Sequence, residues 1–259
     1  MTEISRFEFI KPQLTRPSEV RARVVFKDWL TPETLKIAFE PTQRALFPFV
    51  AGQYVSLILE ADEELGLRRE LRPYSLWAHP DEFEYAVTIV RMIEGGRATS
   101  WLRDIDVGAE LKMVGPLGSF YLRRPLHPRL VFVATGTGVV PLRSMIKDLI
   151  ASGEVHDHDI TLLFGVRHEA DLFELAELQR WEEHFERFNF VPTLSRPEAG
   201  WTGATGRVTE HLSAMELPPD DIQVYLCGNG AMIQDAIALL EARGIDRRSR
   251  RIVLEKYFD

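Results

Sequence analysis

Several short stretches of this 259-residue chain combine residue types that can do chemistry. Val133-Ala-Thr-Gly-Thr-Gly138 sets Gly136 and Gly138 between an apolar run and a helical pattern. Glycine lets the backbone come close to a ligand, and a helix N-terminus offers free N–H groups to phosphate. Pro141 stands where the dinucleotide fingerprint GxGxxG places its third glycine. The next apolar run ends in Leu163-Phe-Gly-Val-Arg167, with an arginine where an NAD fingerprint has an acid. Arg167 either pairs with a 2′-phosphate or is a solvated surface residue. Arg72-Pro-Tyr-Ser75 joins a cation, a flat ring and a hydroxyl. Cys227 is the sole cysteine, and such a residue is either packing or chemistry. The sequence closes on Leu254-Glu-Lys-Tyr-Phe-Asp259, two rings beside carboxylates, which either fill a core or cover a ligand.

The elements that must position these groups differ between the two halves. Residues 20–122 show short β-like runs at Arg21–Trp29, Leu35–Glu40, Tyr54–Glu60, Glu84–Arg91 and Glu110–Val114. Short strands with turns between them suggest a barrel or sandwich. A short helix begins near Ala98, because Trp101, Leu102 and Ile105 share helical spacing. Beyond the proline-bearing connector Leu122–Arg129, strands alternate with helices. Expected strands are Leu130–Ala134, Ile160–Phe164, Val191–Leu194, Val224–Leu226 and Ile252–Leu254. Expected helices are Pro141–Ala151, Ala170–Phe185 and Ala231–Arg243. That alternation implies a parallel sheet covered on both faces.

Composition narrows the function classes. The chain is 45% hydrophobic and 27% charged, with a net charge of −8. Sequence-independent nucleic-acid binding is a poor fit to that charge. No apolar run approaches a membrane span, and MTEISRFEFI lacks the pattern of a secretory signal, so a cytoplasmic protein is expected. One cysteine excludes an intramolecular disulfide and a cysteine-ligated iron–sulfur cluster held by this chain alone. No metal site is expected.

An ordered set of motifs then becomes specific. Phe49-Val-Ala-Gly-Gln-Tyr54, Arg72-Pro-Tyr-Ser75, Gly95-Gly-Arg-Ala-Thr-Ser-Trp-Leu102, Gly115-Pro-Leu-Gly-Ser-Phe120, Thr135-Gly-Thr-Gly138 with Pro141, and Cys227-Gly-Asn-Gly230 with Met232 follow one another along the chain. Over roughly residues 20–259 the chain resembles the ferredoxin–NADP reductase superfamily, and bacterial ferredoxin/flavodoxin–NADP reductases within it. The resemblance implies an antiparallel FAD-binding β-barrel over 1–126. A doubly wound parallel-sheet NADP-binding domain follows over 127–259.

By that resemblance Arg72 neutralises the FAD diphosphate, Tyr74 stacks against the isoalloxazine, Pro73 is a further cofactor-binding position, and Ser75 lies near flavin N5. Ile89, Val90 and Arg91 line the ribityl and adenosine portion, and Gly96, Arg97, Ala98, Thr99 and Ser100 hold the diphosphate at a helix start. Thr135, Gly136, Thr137 and Gly138 take the coenzyme pyrophosphate. Cys227, Gly228 and Met232 flank the nicotinamide, with Cys227 as a wall and not a nucleophile. Arg167, Ser195, Arg196 and Arg207 favour NADP, with NAD possible. Glu255 is a candidate proton relay with Ser75; its other reading is a salt-bridged glutamate. Tyr257 covers the isoalloxazine and Phe258 packs toward the adenine, an order that can also be reversed. The implied activity is hydride exchange with NADP(H) and single-electron exchange with a separate ferredoxin or flavodoxin, by a monomer. Arginines 68, 69, 72, 91, 97 and 103, or 247, 248, 250 and 251, are candidates for steering an acidic partner. Reductase components of oxygenases, free-flavin reductases and non-catalytic nucleotide-binding subunits remain alternatives.

Overall fold

The computed structural model describes residues 12–42, 47–61, 63–64, 66–82, 84–246 and 249–257. Its first half is an antiparallel sheet of β1 (Ser18–Thr31), β2 (Thr34–Pro41), β3 (Tyr54–Leu59), β4 (Glu70–Ser75), β5 (Ala86–Arg91) and β6 (Glu110–Leu117), in the order β4-β3-β6-β1-β2-β5. The outer strands β4 and β5 curl toward each other. The Trp77 N–H donates to the Val87 carbonyl at 2.8 Å, and the Thr88 hydroxyl to the Ser75 carbonyl at 2.8 Å. The barrel therefore closes through a short seam beside Ser75. Alternate residues of the strands, among them Val24, Ile37, Val55, Leu57 and Met113, fill its interior. Helix α1 (Arg97–Asp104) adds Leu102 to that core.

Sequence reading places no strand at β4, which is polar and contains Pro73. Its backbone pairs with β3 on one side only, and a proline is tolerated on such an edge. The strand expected at Glu84–Arg91 begins at Ala86.

The second half is a parallel sheet of β7 (Arg129–Thr135), β8 (Asp159–Val166), β9 (Phe188–Leu194), β10 (Ala204–Thr205), β11 (Ile222–Gly228) and β12 (Ile252–Lys256), in the order β10-β9-β8-β7-β11-β12. Helices α2 (Val139–Ser152) and α3 (Leu175–His184) cover one face, against Leu130, Phe132 and Ala134. Helices α4 (Val208–Ala214) and α5 (Gly230–Ala242) cover the other, against Val131 and Val133. Both faces of β7 are thus buried, which explains its unbroken apolar run.

The helix expected over Ala170–Phe185 divides into a 3₁₀ turn at Glu169–Asp171 and α3. Glu174 breaks it by taking a left-handed conformation, φ 54°. Phe173 just before it is buried edge-on to Phe164. Among the described residues no helix is long and apolar enough to cross a membrane.

Candidate functional site

The chain order reverses at β7: β8 lies on one side and β11 on the other, and their following helices take opposite faces. Doubly wound sheets form a ligand crevice at such a point, outside the carboxyl ends of the strands. Two turns meet there. Gly138 opens α2 with no side-chain cap, and a Cβ on it would lie 2.2 Å from the Cys227 carbonyl oxygen. Across the crevice, a Cβ on Gly228 (φ +146°) would lie 2.1 Å from Thr135 Oγ1. That hydroxyl accepts from the Asn229 backbone N–H at 3.2 Å and its Nδ2 at 3.1 Å. Asn229 Oδ1 in turn accepts from Met232 N at 2.8 Å, capping α5. Gly136 (φ +53°) has no heavy atom within 4 Å of the Cβ position, so its backbone faces open space.

These turns form the floor of a cleft of about 650 Å³. It brings together Thr135, Gly136, Thr137, Gly228, Met232 and Tyr257 with Arg167, Ser195, Arg196 and Arg207. Arg167 and Arg196 lie on adjacent loops, joined by Arg196 N–H to the Arg167 carbonyl at 2.9 Å. Among the described residues, none of the guanidiniums of Arg167, Arg196 and Arg207 has an ion-pair partner. An uncapped helix start, a bare glycine backbone and three uncompensated cations fit a pyridine dinucleotide with its phosphates.

The barrel contributes Glu33, Thr34 and Arg91 to the cleft and, beside it, a buried polar cluster. Ser75, buried at the end of β4, meets Tyr257 Oη at 2.5 Å and donates to Glu255 Oε2 at 3.3 Å. Glu255 is the penultimate residue of β12, and Tyr257 is fixed by its N–H to the Gly228 carbonyl at 2.8 Å. Burial raises the Glu255 carboxyl to about 7, against the opposing hydrogen bond from Ser75. Burial pushes the Tyr257 hydroxyl well up, reinforced by the neighbouring Cys227 and Glu255. Cys227 is fully buried; burial and then the Glu255 charge push its thiol well above the usual range. A protonated, inaccessible thiol is not poised as a nucleophile.

Other candidates sit around this centre. Tyr74 packs partly into the barrel, and burial pushes its hydroxyl up to about 12. Arg72 pairs with Glu70 beside exposed Pro73. α1 starts at Gly96 with no side-chain cap, leaving the first-turn N–H groups of Arg97, Ala98 and Thr99 to a ligand. The Arg97 side chain points elsewhere, to the Arg68 and Glu60 carbonyls at 2.6 Å each. Thr99 Oγ1 is committed to the Ile93 carbonyl at 2.9 Å, and the Ser100 N–H to the Gly96 carbonyl. These α1 N–H groups and the Arg72 cation fit a second diphosphate, as FAD carries.

Ile89 is buried at the junction of the two halves and Val90 within the barrel core. Arg91 lines the cleft with Glu33, 2.9 Å away, and Thr34. Phe258, Arg247 and Arg248 lie outside the described residues. Glu33 and Thr34 have no signal in the sequence, and Tyr54 only its place at the end of the Phe49–Tyr54 motif. Glu33 and Thr34 reach the cleft from the β1–β2 turn. Tyr54 stands opposite Ser75 across β3 and β4, its hydroxyl raised by burial and then by Glu255. Among the described residues no group of three or more His, Cys, Asp or Glu side chains can hold a metal ion.

The same organisation recurs in known proteins. Residues 21–121 match the oxidoreductase FAD-binding domain and residues 132–237 the oxidoreductase NAD-binding domain. Ferredoxin–NADP reductase B of Sorangium cellulosum is 37% identical over 222 residues, which is 82% of this chain and 87% of that protein. The toluate 1,2-dioxygenase electron transfer component of Pseudomonas putida is 27% identical over 217 residues; 83% of this chain aligns with 61% of that longer protein. Among solved structures, the Amycolatopsis cytochrome P450 reductase GcoB superposes with a TM-score of 0.82 at 28% identity, over 94% of this chain and 71% of that one. The ferredoxin NADP+ reductase of Neisseria gonorrhoeae shares the fold, with a TM-score of 0.78 at 22% identity over 92% of this chain and 98% of that one. With its FAD-binding and NAD-binding domains, this chain belongs to the ferredoxin–NADP reductase superfamily of flavoprotein oxidoreductases.

Proposed function

We propose that this protein is an FAD-dependent reductase that exchanges hydride with NADP(H) and single electrons with a separate ferredoxin or flavodoxin. The observation that carries the reading is the convergence of Ser75, Glu255 and Cys227 on Tyr257, which lines the cleft together with Thr135, Gly136 and Thr137. FAD, when bound, supplies the two-electron to one-electron conversion. The chain's own residues bind, orient and exclude water. Arg72, the α1 start and Tyr74 would hold FAD on the barrel, with Ile89, Val90 and Arg91 beside it. Thr135–Gly138 would seat the coenzyme pyrophosphate, and Arg167, Ser195, Arg196 and Arg207 its 2′-phosphate. Gly228, Met232 and Cys227 would wall the nicotinamide. Glu255, whose carboxyl is raised to about 7, accepts from the Ser75 hydroxyl and can exchange a proton through it, that hydroxyl releasing its own proton as it takes one from the carboxyl. Tyr257, half-buried and bonded to Ser75, acts as a displaceable cover over this centre.

The two functional domains divide at residues 126 and 127, and the protein acts as a cytoplasmic monomer. Arg68, Arg69, Arg72, Arg91, Arg97 and Arg103 on the flavin half, or Arg250 and Arg251 before β12, steer an acidic carrier. A second reading, the reductase component of an oxygenase, is favoured by the match to the toluate dioxygenase component, itself named an electron transfer component.

Coenzyme choice is tested by steady-state ferricyanide reduction with NADPH and NADH side by side. The reading predicts that Arg196→Ala or Arg207→Ala raises KM for NADPH about ten-fold or more, with KM for NADH within about two-fold. Equal losses with both coenzymes would remove the 2′-phosphate assignment.

A further inference from the structure

The two halves meet around a buried cation that the proposed chemistry does not use. Arg143, just over one turn into α2, is 5% exposed. Its guanidinium lies between two indoles, 5.1 Å from the Trp77 ring and 5.7 Å from Trp181. Nη1 donates to the Trp77 carbonyl and to Glu82 Oε2, each at 3.0 Å. Nε and Nη2 donate to the two oxygens of Glu177 at 2.9 and 2.5 Å. One partner carboxylate therefore comes from the barrel half and the other from α3. The next residue repeats the link, with Ser144 Oγ donating to the Ala78 carbonyl at 2.8 Å.

Burying an ion network contributes little net stability compared with apolar packing of equal volume. Its effect is directional. The surrounding contact is apolar, through Trp77, Phe120, Val140 and Met145, and apolar faces can slide past one another. Four hydrogen bonds from one planar fork admit one register. The pinned groups are also well placed. Trp77 lies two residues beyond Ser75 and forms the barrel seam, whereas α2 begins at the Gly136–Gly138 turn. A short rigid path thus runs from Ser75 through the Trp77 carbonyl and Arg143 to the coenzyme turn.

We propose that Arg143 is a positioning residue that sets the register of the coenzyme turn against the flavin wall, and so the alignment for hydride transfer. This rests on the reductase reading above. Removing Arg143 alone would strand two carboxylates, so the informative variant is Arg143→Met with Glu82→Gln and Glu177→Gln. It is expected to retain flavin and to bind NADP(H) within about two-fold of wild type, because the coenzyme-binding groups remain. Its kcat is expected to fall about 100-fold, as for sub-ångström to ångström misalignment of reacting groups. Hydrogen exchange, which needs no turnover, should quicken at residues 76–79 and at the start of α2. A flavin-loaded variant with wild-type kcat or unchanged exchange would overturn the proposal. If the triple variant does not fold, Arg143→Lys decides: it keeps the charge and loses the fork, so the same kcat-only loss is expected, and wild-type kcat overturns the proposal. Wild-type protein that holds no flavin would defeat the reductase reading, while the exchange measurement would still judge Arg143.

Discussion

Replacing Gly138 with alanine is expected to lower stability by about 3 kcal/mol or more and to abolish coenzyme-dependent turnover. The added Cβ would stand 2.2 Å from the Cys227 carbonyl oxygen, 2.5 Å from its carbon and 2.9 Å from Gly228 N. All three are backbone atoms of the sheet and its following turn, so no side chain can rotate away. Relief requires α2 to retreat from β11, which opens the crevice and dislocates Thr135 from Asn229. Gly136→Ala is the control. Its Cβ would meet nothing within 4 Å, so it carries only left-handed backbone strain of about 1 kcal/mol. Its methyl group would nevertheless project into the open crevice. Denaturant melts should separate the two variants sharply, while Gly136→Ala should keep turnover with a raised coenzyme KM. Flavin content should survive in Gly136→Ala, because the barrel groups are untouched.

Glu255→Gln is expected to stabilise the protein at alkaline pH and leave it nearly unchanged in acid. The Glu255 carboxyl is raised from 4.5 to about 7, chiefly by burial. A carboxyl raised in the folded state holds its proton more tightly there than in the unfolded chain. The resulting penalty is absent below about pH 4.5, grows as pH rises toward about 7, and is complete above it. Its ceiling is about 3 kcal/mol, at 1.36 kcal/mol per unit. Denaturation at about pH 5 and about pH 8 measures it. The glutamine variant should also lose any inflection of kcat near neutral pH. An unchanged inflection would assign that titration to another group.

Long periodic segments could be read from the sequence because their environments are uniform. β7 and β8 are buried on both faces, and their apolar runs say so. β4 could not be read: only its edge position and the β3 ladder make Glu-Leu-Arg-Pro-Tyr-Ser a strand. The Arg72–Ser75 motif marked its cofactor-binding residues through resemblance, not its strand. The break at Glu174 also escaped, because Lys36, 138 positions away, holds that side chain at 2.5 Å. Helix α4, of seven residues, is too short to show a clear period. The site followed the same division. Both glycine turns were visible as local signatures. The Ser75–Glu255 contact spans 180 positions, and the setting of Arg143 depends on Trp77, Glu82 and Trp181. Such partners are chosen by the closing of barrel on sheet, which no local pattern records.

The central claim is that this chain moves electrons from NADPH through bound FAD to a separate carrier. The most direct measurement is anaerobic mixing of the purified yellow protein with NADPH in a stopped-flow spectrometer, followed by oxidised ferredoxin or flavodoxin. The account predicts that the flavin absorbance bleaches on the first mixing and returns on the second, with NADH bleaching it more slowly at equal concentration. A colourless protein that takes up no FAD, or a bound flavin that NADPH does not bleach, would contradict it.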